Sequence, residues 1–298
     1  MKNLIACLPA IRAPFLLLAP ICVFLGLSIS HYHHVEFQLV SFILTLIAAL
    51  FSAIAVNCLN EYQDFHSGLD LITTPTPFSG GSGLLKTSPH LASNVLKIAN
   101  FAATIVLLVG LYFTLVIGSK VIPLGMLGAV IIFTYTKWLN KTPFLCLIAP
   151  GLGFGLLIVN GSYLTQTLNY SNDVWLISLI PFFLINNLLL INQFPDIQAD
   201  KKSGRNHLPI KYGTKIASVV YLLFAIFSAI LLGVLIMKKV LPFISAVCFL
   251  PLLLNFIAFP HYYLFGEKIA EHPNAMILNV LSANITPLLL AISLLIAS

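Results

Sequence analysis

The sequence has very little charge. Of its 298 residues only 8% are Asp, Glu, Lys or Arg, against about 25% in an ordinary soluble domain. Hydrophobic residues make up 59%, and the mean hydropathy is +1.00. A water-soluble globule of this composition would expose apolar surface on every side, so the composition argues for a protein embedded in lipid. Cysteine is sparse as well. Cys7, Cys22, Cys58, Cys146 and Cys248 are scattered without Cys-x-x-Cys spacing, which reads as free buried thiols. No His-Glu-x-x-His or paired Cys/His spacing is present, so zinc has no evident ligand set. No basic–aromatic pattern of an RNA-binding surface appears, and nucleic acid is not an expected partner.

What is present falls between the few charges. Charge-free intervals run from Ala13 to Val35, Phe37 to Asn60, Ile98 to Ser119, Val121 to Thr136, Thr142 to Asn172, Val174 to Pro195, Ile216 to Met237, Leu241 to Gly266 and His272 to Ser298. A helix needs roughly 20 apolar residues to cross about 30 Å of hydrocarbon, and helices satisfy their own backbone in lipid. The sequence therefore predicts an all-α, polytopic integral membrane protein of about nine transmembrane helices around a central cavity opening to the cytoplasmic side. Val121–Thr136 is the shortest of the nine. The first apolar run is long, lacks a small-x-small exit site and is followed by eight more, so a cleaved signal peptide is not expected. With the N-terminus inside, nine spans put Lys2, Arg12, Lys86, Lys97, Lys137, Lys141, Lys201, Lys202, Arg205, Lys211, Lys215 and Lys268 on the inner face. Only Lys120, Lys238 and Lys239 fall outside. This is the positive-inside pattern of a protein of the cytoplasmic membrane, and the net charge of +6 reflects anionic lipid headgroups.

The chain reads as one domain, residues 1–298. Outer loops are short, and the "HYHH" of His31–His34 lies in one of them, an interfacial loop. Two inner loops are long: one from about Glu61 to Lys97, the other from about Asp196 to Lys215. Each follows a charge-free span ending in Asn, then places acidic residues one turn apart, then Gly, then a basic residue. Asp64 and Asp200 stand 136 positions apart, close to half the chain, consistent with an ancient duplication.

The first acidic motif, residues 57–70, is "NCLNEYQDFHSGLD". Asn57, Glu61 and Asp64 share one helical face, with Asn60 beside it and Asp70 within reach. The second, residues 192–200, spaces Asn192, Asp196 and Asp200 every four residues, stacked on a helix with a drift of about 40° per step. Facing one another in a low-dielectric cavity, such carboxylates repel strongly, so something positive must sit between them. Mg²⁺ takes hard oxygen ligands and bridges carboxylates to substrate phosphates, which makes the pair a candidate Mg²⁺–diphosphate site. Single loop carboxylates are usually only solvated, but five of the nine acids in two helix-spaced sets on one face are not so explained. The Gly-rich "SGGSGLL", Ser79–Leu85, offers backbone N–H groups to an anion or forms a plain turn. Lys137, Arg205 and Lys201 either neutralise a diphosphate or snorkel to headgroups, and Arg12 reads as an interfacial anchor of the first span.

These motifs resemble the paired aspartate motifs of the UbiA superfamily of intramembrane prenyltransferases, and more closely the branch that prenylates 1,4-dihydroxy-2-naphthoate on the route to menaquinone. The likeness extends to "IRAPFLLLAPICVFLGL" and "YTKWLNKTPFLCLIAPGLGFG" and covers most of the chain. The resemblance implies that Glu61, Asp64, Asp196 and Asp200 hold Mg²⁺, with Asp64, Asp196 and Asp200 catalytic. It places Asn57, Asn60, Asp70, Asn192, Lys137 and Arg205 against the substrate. Glu61 departs from the Asp usual in the family, and "WLNKTP" from the Gly-Pro-type pattern of the naphthoate branch.

The expected reaction is Mg²⁺-dependent transfer of a polyprenyl group from an allylic diphosphate to an aromatic quinone precursor. Dihydroxynaphthoate is favoured over 4-hydroxybenzoate and homogentisate. Apolar spans would house the isoprenoid tail and keep water from an allylic cation. The competing class is a cation-coupled secondary transporter, but its carboxylates belong at the midplane, not at one face. A CDP-alcohol phosphotransferase needs an Asp-Gly-x-x-Ala-Arg element that this sequence lacks.

Overall fold

The computed structural model describes residues 5–298, so Lys2 lies outside the described residues. Among these residues the chain is helical without a strand. Its principal helices are α1 (Leu8–Tyr32), α2 (Leu39–His66), α3 (Pro89–Ile117), α4 (Ser119–Thr134), α5 (Pro143–Thr167), α6 (Asn172–Asn192), α7 (Leu208–Met237), α8 (Phe243–Glu271) and α9 (Pro273–Ala297). Eight are long and apolar enough to cross a membrane; α4 is not. At 1.5 Å per residue it rises about 24 Å, short of the roughly 30 Å of hydrocarbon. Among the described residues, eight of the nine apolar runs thus form helices of spanning length, and the shortest run forms the shorter apolar helix α4. Large side chains such as Leu115, Leu264 and Phe243 stand exposed on the outside of the bundle, as a lipid-facing surface requires.

Proline and glycine determine how the helices bend and approach. Arg12 breaks α1 in a left-handed conformation at φ 55°, two residues before Pro14. Pro150 interrupts α5, whose middle turns widen to π geometry over Leu152–Ile158. Gly151 and Gly155 let α5 lie directly on α6: a Cβ would fall 2.2 Å from the carbonyl of Phe182 at the first and 2.5 Å from its N at the second. The remaining helices close a ring in which α1 packs between α5 and α9, and α8 between α7 and α9.

The apolar interior is divided. One cluster joins Leu25 and Ile29 of α1 to Ile177 and Ile180 of α6 and Leu290 and Leu294 of α9. A second joins Ala55 and Cys58 of α2 to Val95, Ala99 and Ala102 of α3. Between them lies a cavity of about 670 Å³. Its far end is closed by hydrogen bonds between Thr45 and Thr165 at 2.9 Å and from the Gln38 N–H to Gln166 at 2.8 Å. His33, from the outer histidine run, bonds the Tyr163 hydroxyl at that same end.

Candidate active site

The open end of the cavity gathers both acidic motifs. In α2 the helix continues unbroken through His66, so Asn57, Asn60, Glu61 and Asp64 share the face that spacing predicts. Gly68, at φ 79°, turns the chain into the short helix Leu69–Ile72, and Asp70 comes back toward them. The second motif departs from expectation. α6 ends at Asn192, and a new short helix, Ile197–Lys202, begins after Asp196. Pro195 has no N–H to donate and its ring clashes with the carbonyl four residues back, so Asn192, Asp196 and Asp200 do not stack on one continuous helix. The tertiary fold nevertheless brings Asn57, Asn60, Asp64, Asp70, Asn192, Asp196, Asp200 and Arg205 to one cavity wall.

The positive charge between the carboxylates is arginine. Arg205 donates to Asp64 Oδ1 at 2.5 Å and to Asp200 Oδ1 at 2.9 Å, tying the two motifs together. Arg12 reaches Glu61 Oε2 at 3.1 Å, where Glu61 is fully buried. Its reading as a lipid-interface anchor is thereby corrected: the break at Arg12 carries the guanidinium inward. Asn57 holds that break in place by donating to the Ile11 carbonyl at 2.8 Å. Asn60 donates to Thr136 Oγ1 at 3.0 Å. Lys137 is exposed and does not line the cavity, so it is not brought to the site.

The glycine-rich loop folds over the carboxylates. Gly80 N–H donates to Asp196 Oδ2 at 2.8 Å, and Ser82 N–H to Glu61 Oε2 at 3.1 Å. Ser82 Oγ also donates to Glu61 Oε1. A Cβ at Gly81, which has φ +75°, would stand 3.2 Å from Asp70 Oδ1 and 3.5 Å from Arg12. Two of the loop's backbone N–H groups are thus taken by the protein's own carboxylates.

Five carboxylates meet only two guanidinium groups here, and the excess of negative charge acts on Asp70 and Asp196. Asp70 is pushed up to about 7, by burial first and then by Asp64 and Glu61. Asp196 is likewise pushed up to about 7, by burial and by Asp200, against the Gly80 N–H that favours its charged form. Asp70 Oδ2 is buried with no hydrogen-bond partner. Among the described residues no three acidic, His or Cys side chains converge tightly enough to hold a metal as they stand. The donor set of carboxylate and amide oxygens, with an excess of negative charge and an unpartnered Asp70 oxygen, fits a hard divalent cation accepting some of the places the arginines now hold.

Sequence reading passed over Asn140 and His207, which also line the cavity. His207 Nε2 lies 2.8 Å from Asp200 Oδ2, and Asn140 accepts a backbone bond from Asn206 at 3.1 Å. His207 lies in the second long inner loop, and its place two residues after Arg205 was the available signal. Asn140 lies within "WLNKTP", where no spacing to an acid marks it. Below this polar rim the wall becomes apolar, through Val56, Ala53, Val109, Phe113, Leu157 and Leu164.

Comparison with known proteins yields concordant matches. A model of the UbiA prenyltransferase family matches residues 18–281. A 1,4-dihydroxy-2-naphthoate octaprenyltransferase of Bacillus subtilis (strain 168) is 30% identical over 196 residues, covering 65% of this chain and 61% of that enzyme. The matched stretch thus spans less than two thirds of that relative. A UbiA homolog from Aeropyrum pernix K1 superposes with a TM-score of 0.73 at 16% identity, covering 95% of this chain and 97% of the other. A UbiA homolog from Archaeoglobus fulgidus, bound to DMAPP and Mg²⁺, gives a TM-score of 0.68 at 14% identity, covering 98% of this chain and 99% of that one.

Proposed function

Because the chain belongs to the UbiA prenyltransferase family, we propose that it transfers a polyprenyl group from an allylic diphosphate to a hydroxylated aromatic acceptor. The favoured acceptor is 1,4-dihydroxy-2-naphthoate, in membrane quinone biosynthesis. One observation carries the reading: the two acidic motifs converge at the polar mouth of a cavity whose remaining depth is apolar. Diphosphate belongs at that mouth and an isoprenoid tail below it. The naphthoate substrate of the Bacillus relative and the Mg²⁺ and DMAPP of the Archaeoglobus homolog support the same assignment.

Asp64, Asp70, Asp196 and Asp200, with Glu61, are the residues that would hold Mg²⁺. Bound there, Mg²⁺ neutralises charge that develops on a departing diphosphate. Arg12 and Arg205, freed from part of their carboxylate bonding, would clamp phosphate oxygens, a geometry to which guanidinium is suited. Such preorganised charge acts strongly because the site is partly closed to water. The apolar wall lets the acceptor's ring carbon, and not water, meet the allylic carbon. The lysine and arginine distribution supports a mouth on the cytoplasmic face, with the N-terminus inside.

The test is prenyl transfer by purified protein in nanodiscs, with a labelled allylic diphosphate, Mg²⁺ or EDTA, and the three aromatic acceptors. A Mg²⁺-dependent product on dihydroxynaphthoate is expected. Folded protein that forms no product on any acceptor and binds no diphosphate would overturn the assignment.

A further inference from the structure

Glu61 differs from every other acid of the two motifs. Its side chain has no exposed surface and does not line the cavity, whereas Asp64, Asp70, Asp196 and Asp200 do. Its two oxygens are already taken. Ser82 grips both, its N–H donating to Oε2 at 3.1 Å and its hydroxyl to Oε1. Arg12 donates to Oε2 at 3.1 Å as well. The arginine is placed the other way round: its side chain is 23% exposed and lines the cavity. Its backbone is held separately, by the bond from Asn57 to the Ile11 carbonyl. The glycine-rich loop passes close over the pair at Gly81, where a Cβ would stand 3.5 Å from Arg12 Nη2 and 3.6 Å from Glu61 Oε2.

We infer that Glu61 and Ser82 are positioning residues, which hold the Arg12 guanidinium at the mouth to receive the diphosphate. The inference rests on the prenyltransferase reading above and deepens it: the four aspartates remain the cation's ligands, and Glu61 is set apart from them. A carboxylate with no surface toward the cavity meets a cation there only after releasing Ser82 and Arg12. A guanidinium carries its N–H donors in a rigid fork, so one edge stays tied to Glu61 while another faces an anion. Left untied, so long a side chain samples many rotamers, and the substrate must then order it on binding. The length of Glu61 matters for the same reason. An Asp at this position would draw the carboxylate back toward α2 by one methylene, away from Ser82 and Arg12 together.

The test is equilibrium binding, without turnover, by purified protein in nanodiscs of a zwitterionic phospholipid. Mn²⁺, read by electron paramagnetic resonance, probes the cation site; inorganic diphosphate with Mg²⁺, read by calorimetry, probes the arginine. Arg12→Gln/Glu61→Gln removes one charge of each sign, so the mouth keeps its net charge and neither partner is left buried and unpaired. This double variant should hold Mn²⁺ within about threefold of wild type, against a loss of about tenfold or more in Asp64→Asn. Its affinity for diphosphate should fall about tenfold, and no further than in Arg12→Gln alone. Ser82→Ala changes no charge; it should weaken diphosphate about threefold with Mn²⁺ binding unmoved, and Ser82→Thr, which keeps the hydroxyl, should restore it. A double variant that loses Mn²⁺ as Asp64→Asn does makes Glu61 a ligand, and the inference fails. Diphosphate binding unchanged in the double variant or in Ser82→Ala overturns it too, as does a loss in the double variant well beyond that of Arg12→Gln. Wild-type protein that binds neither probe overturns the inference and the prenyltransferase reading together. The expected pattern of binding, with no prenyl transfer to any acceptor, would keep the role of Glu61 and Ser82 and sink that reading alone.

Discussion

Each acid at the mouth has a different environment, and so a different expected response to substitution. Asp64 is bonded to Arg205 across 141 positions of sequence, while Asp196 takes a loop N–H. Asp64→Asn and Asp196→Asn keep the size of the side chain and remove its charge. Each is expected to lower turnover by about 10²–10³-fold or more with normal membrane levels, as judged by product formation per mole of folded protein. Near-normal rates would exclude both from the reaction. Arg205→Met leaves Asp64 and Asp200 without their shared cation, and breaking a buried pair in this way costs about 3–5 kcal/mol. Its thermal midpoint in EDTA should fall, and Mg²⁺ should restore part of the loss; no recovery with Mg²⁺ would mean that the ion does not reach these carboxylates. Asp70 and Asp196, raised to about 7, must lose protons before they can bind a cation. Mg²⁺ affinity should therefore weaken as pH falls from about 8 to 6, with proton release detectable by calorimetry in buffers of different ionisation enthalpy. In the metal-free protein the sign is reversed: raised carboxylates favour the folded state at low pH, and that contribution is lost as pH rises through about 7.

At the scale of the element, the close approach of α5 to α6 holds the cavity wall. Gly151 and Gly155 have no room for a side chain, whereas Gly153 between them meets nothing within 4 Å of a built Cβ. Overpacking a tight contact costs about 1–3 kcal/mol, and a Cβ at 2.2 Å from backbone belongs at or beyond the upper end. Gly151→Ala should lower the melting temperature by several degrees, and Gly153→Ala should leave it unchanged; equal midpoints would show that α5 can slide away without penalty. The interruptions follow the same local logic. Pro195 ends α6 and turns the chain so that Asp196 meets Gly80, and the break at Arg12 turns its side chain toward Glu61.

Across the whole molecule, the cavity penetrates deep into the bundle. From Asp64 to Thr45, both lining it, α2 rises about 28 Å. Gly161 lines the same cavity some four turns along α5 from Cys146, toward the end closed by Thr45 and Thr165. Gly161→Trp should shorten the space available to a tail while leaving the mouth untouched. With a panel of allylic diphosphates of increasing length, KM for the short donors is expected to hold and that for the long ones to rise. A uniform effect on every length would place the tail elsewhere.

Composition and spacing alone determined the membrane setting, the helical class and the two acidic motifs, because each is written in local patterns: long apolar runs, and carboxylates one turn apart. Asn57 to Asp64 were legible as a single face since nothing interrupts α2 there. Other features depend on contacts between distant residues. No spacing links Arg12 to Glu61, or Arg205 to Asp64, and those pairs exist only because the fold brings separate helix ends together in a medium where an unpaired charge is costly. The same holds for Asn140 and His207, which lie far apart in the chain and become a pair only at the cavity wall. Lys137 stays exposed for the converse reason: a long cationic side chain at a helix end reaches solvent unless the fold supplies a partner.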